Sequence, residues 1–79
     1  MQKFPVDAPK TRVMRALKAL GFELMREREH IAMRRQNADG TSTPLTMPNH
    51  ATVKGSTLRT ICRQSDIERE AFLRAYEDA

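Results

Sequence analysis

The sequence predicts a small α+β domain in which a helix is followed by three antiparallel strands and then by two more helices. Apolar residues recur with helical spacing up to residue 20, alternate with polar residues between 22 and 47, and return to helical spacing after residue 55. An Asp-Gly pair at residues 39–40 is a strong signal for a tight turn between two strands. We therefore expect the order α-β-β-β-α-α, with the helices on one face of a three-stranded antiparallel sheet and the other face open.

The first helix is predicted to begin near Asp7 and to end at Gly21. Asp7 can cap the helix, Pro9 is tolerated in a first turn, and glycine favours the left-handed conformation that ends a helix. Three apolar positions form the predicted buried stripe: Val13, Leu17 and Leu20. Residues 1–6 are expected to be a loosely ordered lead-in, because Pro5 resists a helix start.

Three short strands follow the first helix. Each is expected to turn two apolar residues toward the core: Phe22 and Leu24, then Ile31 and Met33, then Leu45 and Met47. Pro44 and Pro48 bracket the third strand and favour a place at the edge of the sheet. Because side chains alternate across a strand, His30 and Arg34 are expected on the open face.

The C-terminal third is predicted to be helical after a loop at residues 49–55. The second helix can begin at Gly55 or Ser56, and a Ser-x-x-Glu capping box at residues 65–68 introduces a closing helix over roughly 68–77. The expected core-facing residues are Leu58, Ile61 and Cys62 in the second helix, and Ile67, Ala71, Phe72 and Ala75 around the closing one.

Length and composition limit the function. A chain of 79 residues forms a single domain, residues 1–79. Fourteen Lys/Arg against ten Asp/Glu give a net charge of +4, which favours a nucleic acid or an acidic protein as partner. Cys62 is the only cysteine, so no internal disulfide forms, and its apolar setting argues against a nucleophile. With two His besides, no metal-ligand cluster is expected, and we predict no cofactor. The absence of a membrane-length apolar run and of a signal-peptide core favours the cytoplasm.

Four motifs stand in a specific order along the chain. They are Gly-Phe at residues 21–22, the strand-borne His30, Pro-x-His at 48–50, and Lys-Gly-x-Thr-Leu-Arg-x-Ile at 54–61. Each is weak alone, but in this order they resemble the HicA family of small toxin ribonucleases. The similarity begins near Asp7 and continues into the closing helix. These proteins are the toxin halves of bacterial and archaeal toxin–antitoxin pairs.

The resemblance implies a fold like that of a double-stranded-RNA-binding domain and an endoribonuclease activity on mRNA. It also implies a partner, an antitoxin protein of the HicB type that covers the active surface. The catalytic histidine of the family corresponds to His30. Arg28 and Glu29 stand where the family usually has Gly-Ser before this histidine.

Metal-independent RNA cleavage needs a base for the 2′-hydroxyl proton, an acid for the leaving oxygen and positive charge near the phosphate. From pattern alone, His30 is more readily a solvated residue of a charged strand. The resemblance reverses this interpretation and makes His30 the proton-transfer residue. Arg34, four positions along the same strand, and Arg28 are expected to bind RNA phosphate.

Two further groups are candidates. Lys54 at the start of the second helix and Arg59 within it are expected to bind the RNA backbone, although both can simply solvate the helix. His50 is a possible secondary acid or base, and a hydrogen bond to its own loop is the simpler interpretation.

Two other functions fit the same residues. The chain can be a non-catalytic RNA-binding module that uses shape and phosphate contacts. It can also be a DNA-binding helix-turn-helix protein built from residues 56–76. Four acidic residues in and beside the closing helix argue against the latter: Glu68, Glu70, Glu77 and Asp78.

Overall fold

The computed structural model describes residues 3–79, which form three helices and two antiparallel sheets. The elements are β1 Asp7–Pro9, α1 Lys10–Ala19, β2 Phe22–Glu27, β3 His30–Gln36, β4 Ser42–Pro48, β5 Thr52–Lys54, α2 Gly55–Gln64 and α3 Arg69–Asp78. The predicted α+β class with its three-stranded antiparallel sheet is confirmed, and it is consistent with a fold like that of a double-stranded-RNA-binding domain. No helix within residues 3–79 has the length and apolar character needed to span a membrane.

The larger sheet has the order β2-β3-β4 and covers the core with one face. Ile31 of β3 pairs with Met47 of β4, and Met33 pairs with Leu45; all four side chains are buried. These are the inward-facing residues that the alternation predicted. β4 is an edge strand, as its two prolines indicated, because a proline nitrogen cannot donate to a neighbouring strand.

A bulge in β2 interrupts this simple alternation. Phe22 is buried and Leu24 lies opposite Met33 on the same face, as predicted, but Leu24 at the sheet edge is 39% exposed. The register then shifts, so that Arg26 rather than Met25 pairs with Ala32. Met25 is therefore the extra residue of a β-bulge, and the residues after it change faces.

The turn between β3 and β4 forms where the Asp-Gly pair predicted it. Gly40 has a φ of +89°, and its N–H donates to the carbonyl of Asn37 at 3.1 Å. The Asn37 amide group donates to the hydroxyls of Thr41 and Thr43. The Asp39 carboxylate accepts the Thr41 hydroxyl at 2.6 Å and the Thr41 N–H at 3.0 Å, which lowers the pKa of Asp39.

A second sheet, which the sequence did not predict, joins β1 to β5. Asp7–Pro9, predicted to cap and begin the first helix, forms a strand instead, and the predicted loop at 49–55 contains β5. Ala8 pairs with Val53, and both are buried. Strands of three residues show no period, so only the pairing across more than forty residues defines them. α1 therefore begins at Lys10, without a side-chain cap.

Residues 3–6, which belong to the expected loose lead-in, make specific contacts; Met1 and Gln2 lie outside the described residues. The Phe4 ring lies 6.0 Å from the ring of Phe72 between centroids. The Gly55 N–H donates to the carbonyl of Val6 at 3.1 Å. A Cβ atom on Gly55 would come within 2.8 Å of the Pro5 carbonyl oxygen, so glycine permits this segment to cross the start of α2.

α1 ends as predicted. Gly21 has a φ of +97°, and its N–H donates to the carbonyl of Lys18 at 3.0 Å. Val13 and Leu17 are fully buried and Leu20 packs at the border of the core. The left-handed glycine turns the chain from the helix into β2.

The predicted capping box at residues 65–68 is wrong. Ser65 is the C-cap of α2, Asp66 follows with a φ of +55°, and the Ile67 N–H donates to the carbonyl of Cys62 at 2.9 Å. A bond from the Asp66 N–H to the carbonyl of Arg63 completes a Schellman ending. The buried Ser65 hydroxyl makes no hydrogen bond and does not cap α3, whose N-cap is Glu68.

The buried side of α3 is also rotated from the prediction. Phe72 is buried as expected, but Ala71 is exposed, and Leu73 and Tyr76 face the core. Contact with α1 decides this orientation. Arg12 of α1 donates through Nε to the carbonyl of Tyr76 at 2.9 Å, and its guanidinium lies 4.2 Å above the Tyr76 ring.

Candidate active site

The face of the β2-β3-β4 sheet opposite the core, here called the open face, carries His30 and Arg34. Their neighbours in sequence, Ile31 and Met33, are buried, so both side chains point outward as predicted, and both are exposed. His30 pairs with Pro48 across the sheet. The residues around it on this face are small, so a ligand can approach the imidazole: Ala32, Thr46 and Pro48.

The structure adds Arg26 to this face. Simple alternation from Phe22 would place Arg26 toward the core, but the bulge at Met25 brings it opposite Ala32, which is two residues from His30 on the open face. Diagonal neighbours of this kind lie within reach of long side chains. Arg26 was not predicted as a site residue, because the sequence of β2 contains no signal for the bulge.

The turn between β2 and β3 holds Arg28 and Glu29, the pair that replaces Gly-Ser. β2 ends at Glu27, so Arg28 lies in the turn and not on a strand. Its N–H donates to the carbonyl of His30 at 3.1 Å. Among the described non-glycine residues, only Asp66 has a positive φ. Arg28 and Glu29 thus occupy this turn without left-handed backbone strain.

Asn49 makes three hydrogen bonds around this turn, which we call the Asn49 network. Its Nδ2 donates to the carbonyl of Arg28 at 2.6 Å, and its backbone N–H donates to the carbonyl of Glu29 at 3.3 Å. Its Oδ1 accepts a hydrogen bond from Lys10 Nζ at 2.7 Å, and the same ammonium lies 3.8 Å from a carboxylate oxygen of Glu27. The start of α1, the turn before His30 and the end of β4 are thereby tied together.

His50 does not make the loop hydrogen bond that was the simpler expectation for it. Within residues 3–79 its imidazole has no hydrogen-bond partner, and Asn49 makes the contacts that stabilise this part of the chain. His50 lines a small cavity of about 140 Å³ beside Pro48, Lys54 and Thr57. It is therefore close to the cross-strand partner of His30.

Lys54 and Arg59 lie in a different place from the open face. Both line a larger, open cavity between the N-terminal segment, β1, α2 and the start of α3. The candidate residues thus form two groups: His30, Arg28 and Arg34 at the sheet, and Lys54 and Arg59 at this cavity. Pro48, His50 and Lys54 lie between them.

Cys62 is excluded as a nucleophile at neutral pH. Its side chain is buried, and burial raises the pKa of the thiol to about 11 even though the positive charge of Arg69 acts in the opposite direction. A thiol that remains protonated is a poor nucleophile.

The sheet, the helices on its core face and an exposed histidine that shares the open face with Arg26 and Arg34 define a small α+β protein with a candidate anion-binding face, on which Glu23 lies opposite Arg34. A family model described as the HicA toxin of bacterial toxin–antitoxin systems matches residues 11–67, well over half of the chain, and the chain belongs to this family. It is therefore a toxin of a toxin–antitoxin system; such toxins pair with an antitoxin and are generally mRNA-cleaving ribonucleases. No curated protein matches the chain, and no solved structure does either. The match is shorter than the similarity inferred from the motifs, because it ends before α3.

Proposed function

We propose that this chain is an endoribonuclease that cleaves mRNA by metal-independent acid–base catalysis through His30. Membership of the HicA family supports the reaction class. The observation that supports the residue is the outward position of His30 among small neighbours, with Arg26 and Arg34 further along the same open face.

In the proposed reaction His30 accepts the proton of a ribose 2′-hydroxyl. The 2′-oxygen then forms a bond to the adjacent phosphorus, and the bond from phosphorus to the 5′-oxygen of the next nucleotide breaks. The products are a cyclic phosphate and a 5′-hydroxyl, to which a proton must be delivered. Acid–base catalysis of this kind contributes about 100- to 10,000-fold to a rate.

The arginines supply the positive charge that the transition state requires. Arg34 and Arg26 share the open face with His30, and Arg28 lies in the turn immediately before it. Guanidinium groups donate two parallel hydrogen bonds to phosphate oxygens, so they both hold the substrate and stabilise the added charge. We assign His50 as the candidate acid for the leaving oxygen, since it lies two residues after Pro48, which pairs with His30.

The proposed partner is an antitoxin of the HicB type that covers the open face and blocks access to His30. A carboxylate-rich surface on that protein would match the arginines and compete with RNA for them. The proposed compartment is the cytoplasm, where mRNA is available.

Induction of the chain in bacteria tests the catalytic assignment. The wild type should arrest growth and degrade transcripts, whereas His30→Ala should do neither and should lose at least about 100-fold in the rate of RNA cleavage in vitro. Gln36→Ala, on the same face at the other end of β3, is the matched control and should behave as the wild type. Equal toxicity of the wild type and His30→Ala would contradict the proposal.

The same experiment separates the other two functions. A non-catalytic RNA-binding module predicts that His30→Ala still binds RNA and still arrests growth. A helix-turn-helix regulator predicts protection of promoter DNA in footprinting. α3 is poorly suited to a DNA groove, because Glu70, Glu77 and Asp78 are on its exposed side and Phe72 and Tyr76 face the core.

A further inference from the structure

An open cavity lies where the N-terminal segment crosses the start of α2. Its volume is about 780 Å³, which is in the range of cavities that hold small organic ligands. Four cations line it: Lys3, Lys54, Arg59 and Arg69. Among the described residues the carboxylate of Asp7 is the one acidic group in its wall. We call this site the basic cavity.

Within residues 3–79 none of these four cations forms an ion pair, and Asp66 and Glu68 line the adjacent cavity that shares Arg59 and Arg69. The one ion pair in this part of the chain joins Lys10 to Glu27, and neither residue lines the cavity. Arg69 also lies 5.3 Å above the ring of Phe4, which holds its guanidinium against the wall. Four cations and one carboxylate leave an excess of three positive charges, and a concave site with such an excess concentrates anions.

Lys54 connects the basic cavity to the proposed active site. It also lines the small cavity that contains His50 and Pro48, and Pro48 is the cross-strand partner of His30. An RNA strand that is cleaved at His30 can therefore continue past Pro48 and Lys54 into the basic cavity. Such a strand carries a negatively charged phosphate at every nucleotide, so it can bind cations both at the open face and in the basic cavity.

We propose that the basic cavity is an RNA phosphate subsite, which binds the substrate backbone a few nucleotides away from the bond cleaved at His30. This inference rests on the proposed ribonuclease function. Lys3 and Arg69 lie outside residues 11–67, the part matched by the family, so the ends of this chain complete the site. An acidic protein segment would meet the same charge, but the continuity with His30 through Lys54 favours RNA.

Equilibrium binding of a short single-stranded RNA tests the proposal, with the full chain carrying His30→Ala so that the RNA stays intact. Arg69→Gln and Lys3→Gln are each added to this background. Each should weaken binding about tenfold, the scale of one charge-assisted hydrogen bond. Each should also reduce the slope of log affinity against log salt concentration by about 0.7, the value for one phosphate contact on single-stranded nucleic acid.

Arg74→Gln is the matched control. Arg74 is exposed on α3 and does not line the cavity, so the substitution removes one positive charge elsewhere. It should leave the RNA affinity and the salt slope nearly unchanged. Lys3 is exposed, so Lys3→Gln tests the site even if Arg69→Gln perturbs the packing of Phe4. If both cavity variants bind RNA as Arg74→Gln does, the subsite is refuted, and it is also refuted if only their affinity for the antitoxin falls.

Failure of the subsite and failure of the ribonuclease function give different results. If the wild type cleaves RNA and His30→Ala does not, while the cavity variants bind RNA normally, the ribonuclease proposal holds and the subsite does not. If the wild type does not cleave RNA but the cavity variants lose affinity and salt slope, the cavity binds RNA and the catalytic role of His30 is wrong.

Discussion

At the scale of single residues, Asn49 holds the turn that precedes His30. His30 stands at the first position of β3, immediately after a short turn, where a strand end is free to move unless it is held. The Asn49 side chain and backbone bond two successive carbonyls of that turn, and Lys10 orients the Asn49 amide from the other side. In the sequence, Asn49 is only the unspecified middle residue of the Pro-x-His motif.

Asn49→Ala is expected to lower the kcat of RNA cleavage about 10- to 100-fold with little change in RNA affinity, because a misplaced catalytic group loses rate rather than binding. The variant should also lose about 1–2 kcal/mol of unfolding free energy, since two side-chain hydrogen bonds are removed. Cleavage kinetics and urea unfolding measure the two effects separately.

Asn37→Ala is the matched control for this prediction. Asn37 likewise stabilises a hairpin turn through its side chain, but at the β3–β4 end of the sheet. It should show a similar loss of stability with an unchanged kcat. A normal kcat for Asn49→Ala would mean that the Asn49 network has a structural role alone.

At the scale of elements, long-range contacts set the boundaries that the sequence left open. The pattern Ser65 to Glu68 fits a helix start, yet the chain uses Ser65 to Ile67 to end α2, because Ile67 is drawn into the core beside Cys62. The short strands β1 and β5 form because each supplies the backbone partners of the other. Local propensity does not predict strands that depend on pairing with a distant segment.

The crossing of the N-terminal segment over α2 predicts the effect of Gly55→Ala. Helix propensity alone would favour alanine by up to about 1 kcal/mol. The new Cβ would instead come 2.8 Å from the Pro5 carbonyl oxygen, a backbone atom, so the segment must move. We expect a net loss of about 1–3 kcal/mol of unfolding free energy and faster proteolysis of the N-terminus.

Ser56→Ala provides the comparison for Gly55→Ala. Ser56 is exposed, and its hydroxyl caps no described group of the helix, so its removal should change stability by less than about 0.5 kcal/mol. A Gly55→Ala protein as stable as the wild type, measured by urea unfolding, would argue that the close approach of Pro5 is not maintained in solution.

At the scale of the whole molecule, a row of aromatic rings joins the N-terminus to the last helix. Phe4 and Phe72 are 6.0 Å apart between ring centroids, and Phe72 and Tyr76 are also 6.0 Å apart. Arg69 and Arg12 lie over the two ends of this row. The packing of these rings in the core therefore also supports the wall of the basic cavity.

Phe72→Ala should therefore be severe. Phe72 is fully buried, and its truncation is expected to remove about 3–5 kcal/mol. A domain of this length has a total of roughly 4–12 kcal/mol of unfolding free energy, so the substitution should remove a large share of the stability and lower the urea midpoint strongly. Ala71→Ser, at the exposed neighbouring position, should change thermal stability little. Similar losses from both substitutions would contradict the observed orientation of α3.

The order of the three helices and of strands β2 to β4, and the inward residues of β3 and β4, follow from the sequence. Period and turn chemistry are local properties, so they place Ile31, Met33, Leu45 and Met47 inward and turn His30 outward. The sequence also determines the excess of positive charge.

The tertiary structure alone decided which residues surround His30 and which cations share a cavity. The bulge at Met25 places Arg26 on the open face, and Asn49 bonds the β2–β3 turn from the end of β4. Lys3 and Arg69, which are far apart in the sequence, line the same cavity. These relations depend on the register between strands and on contacts between distant residues. These contacts contribute free energy only in the folded chain, so no local sequence pattern predicts them.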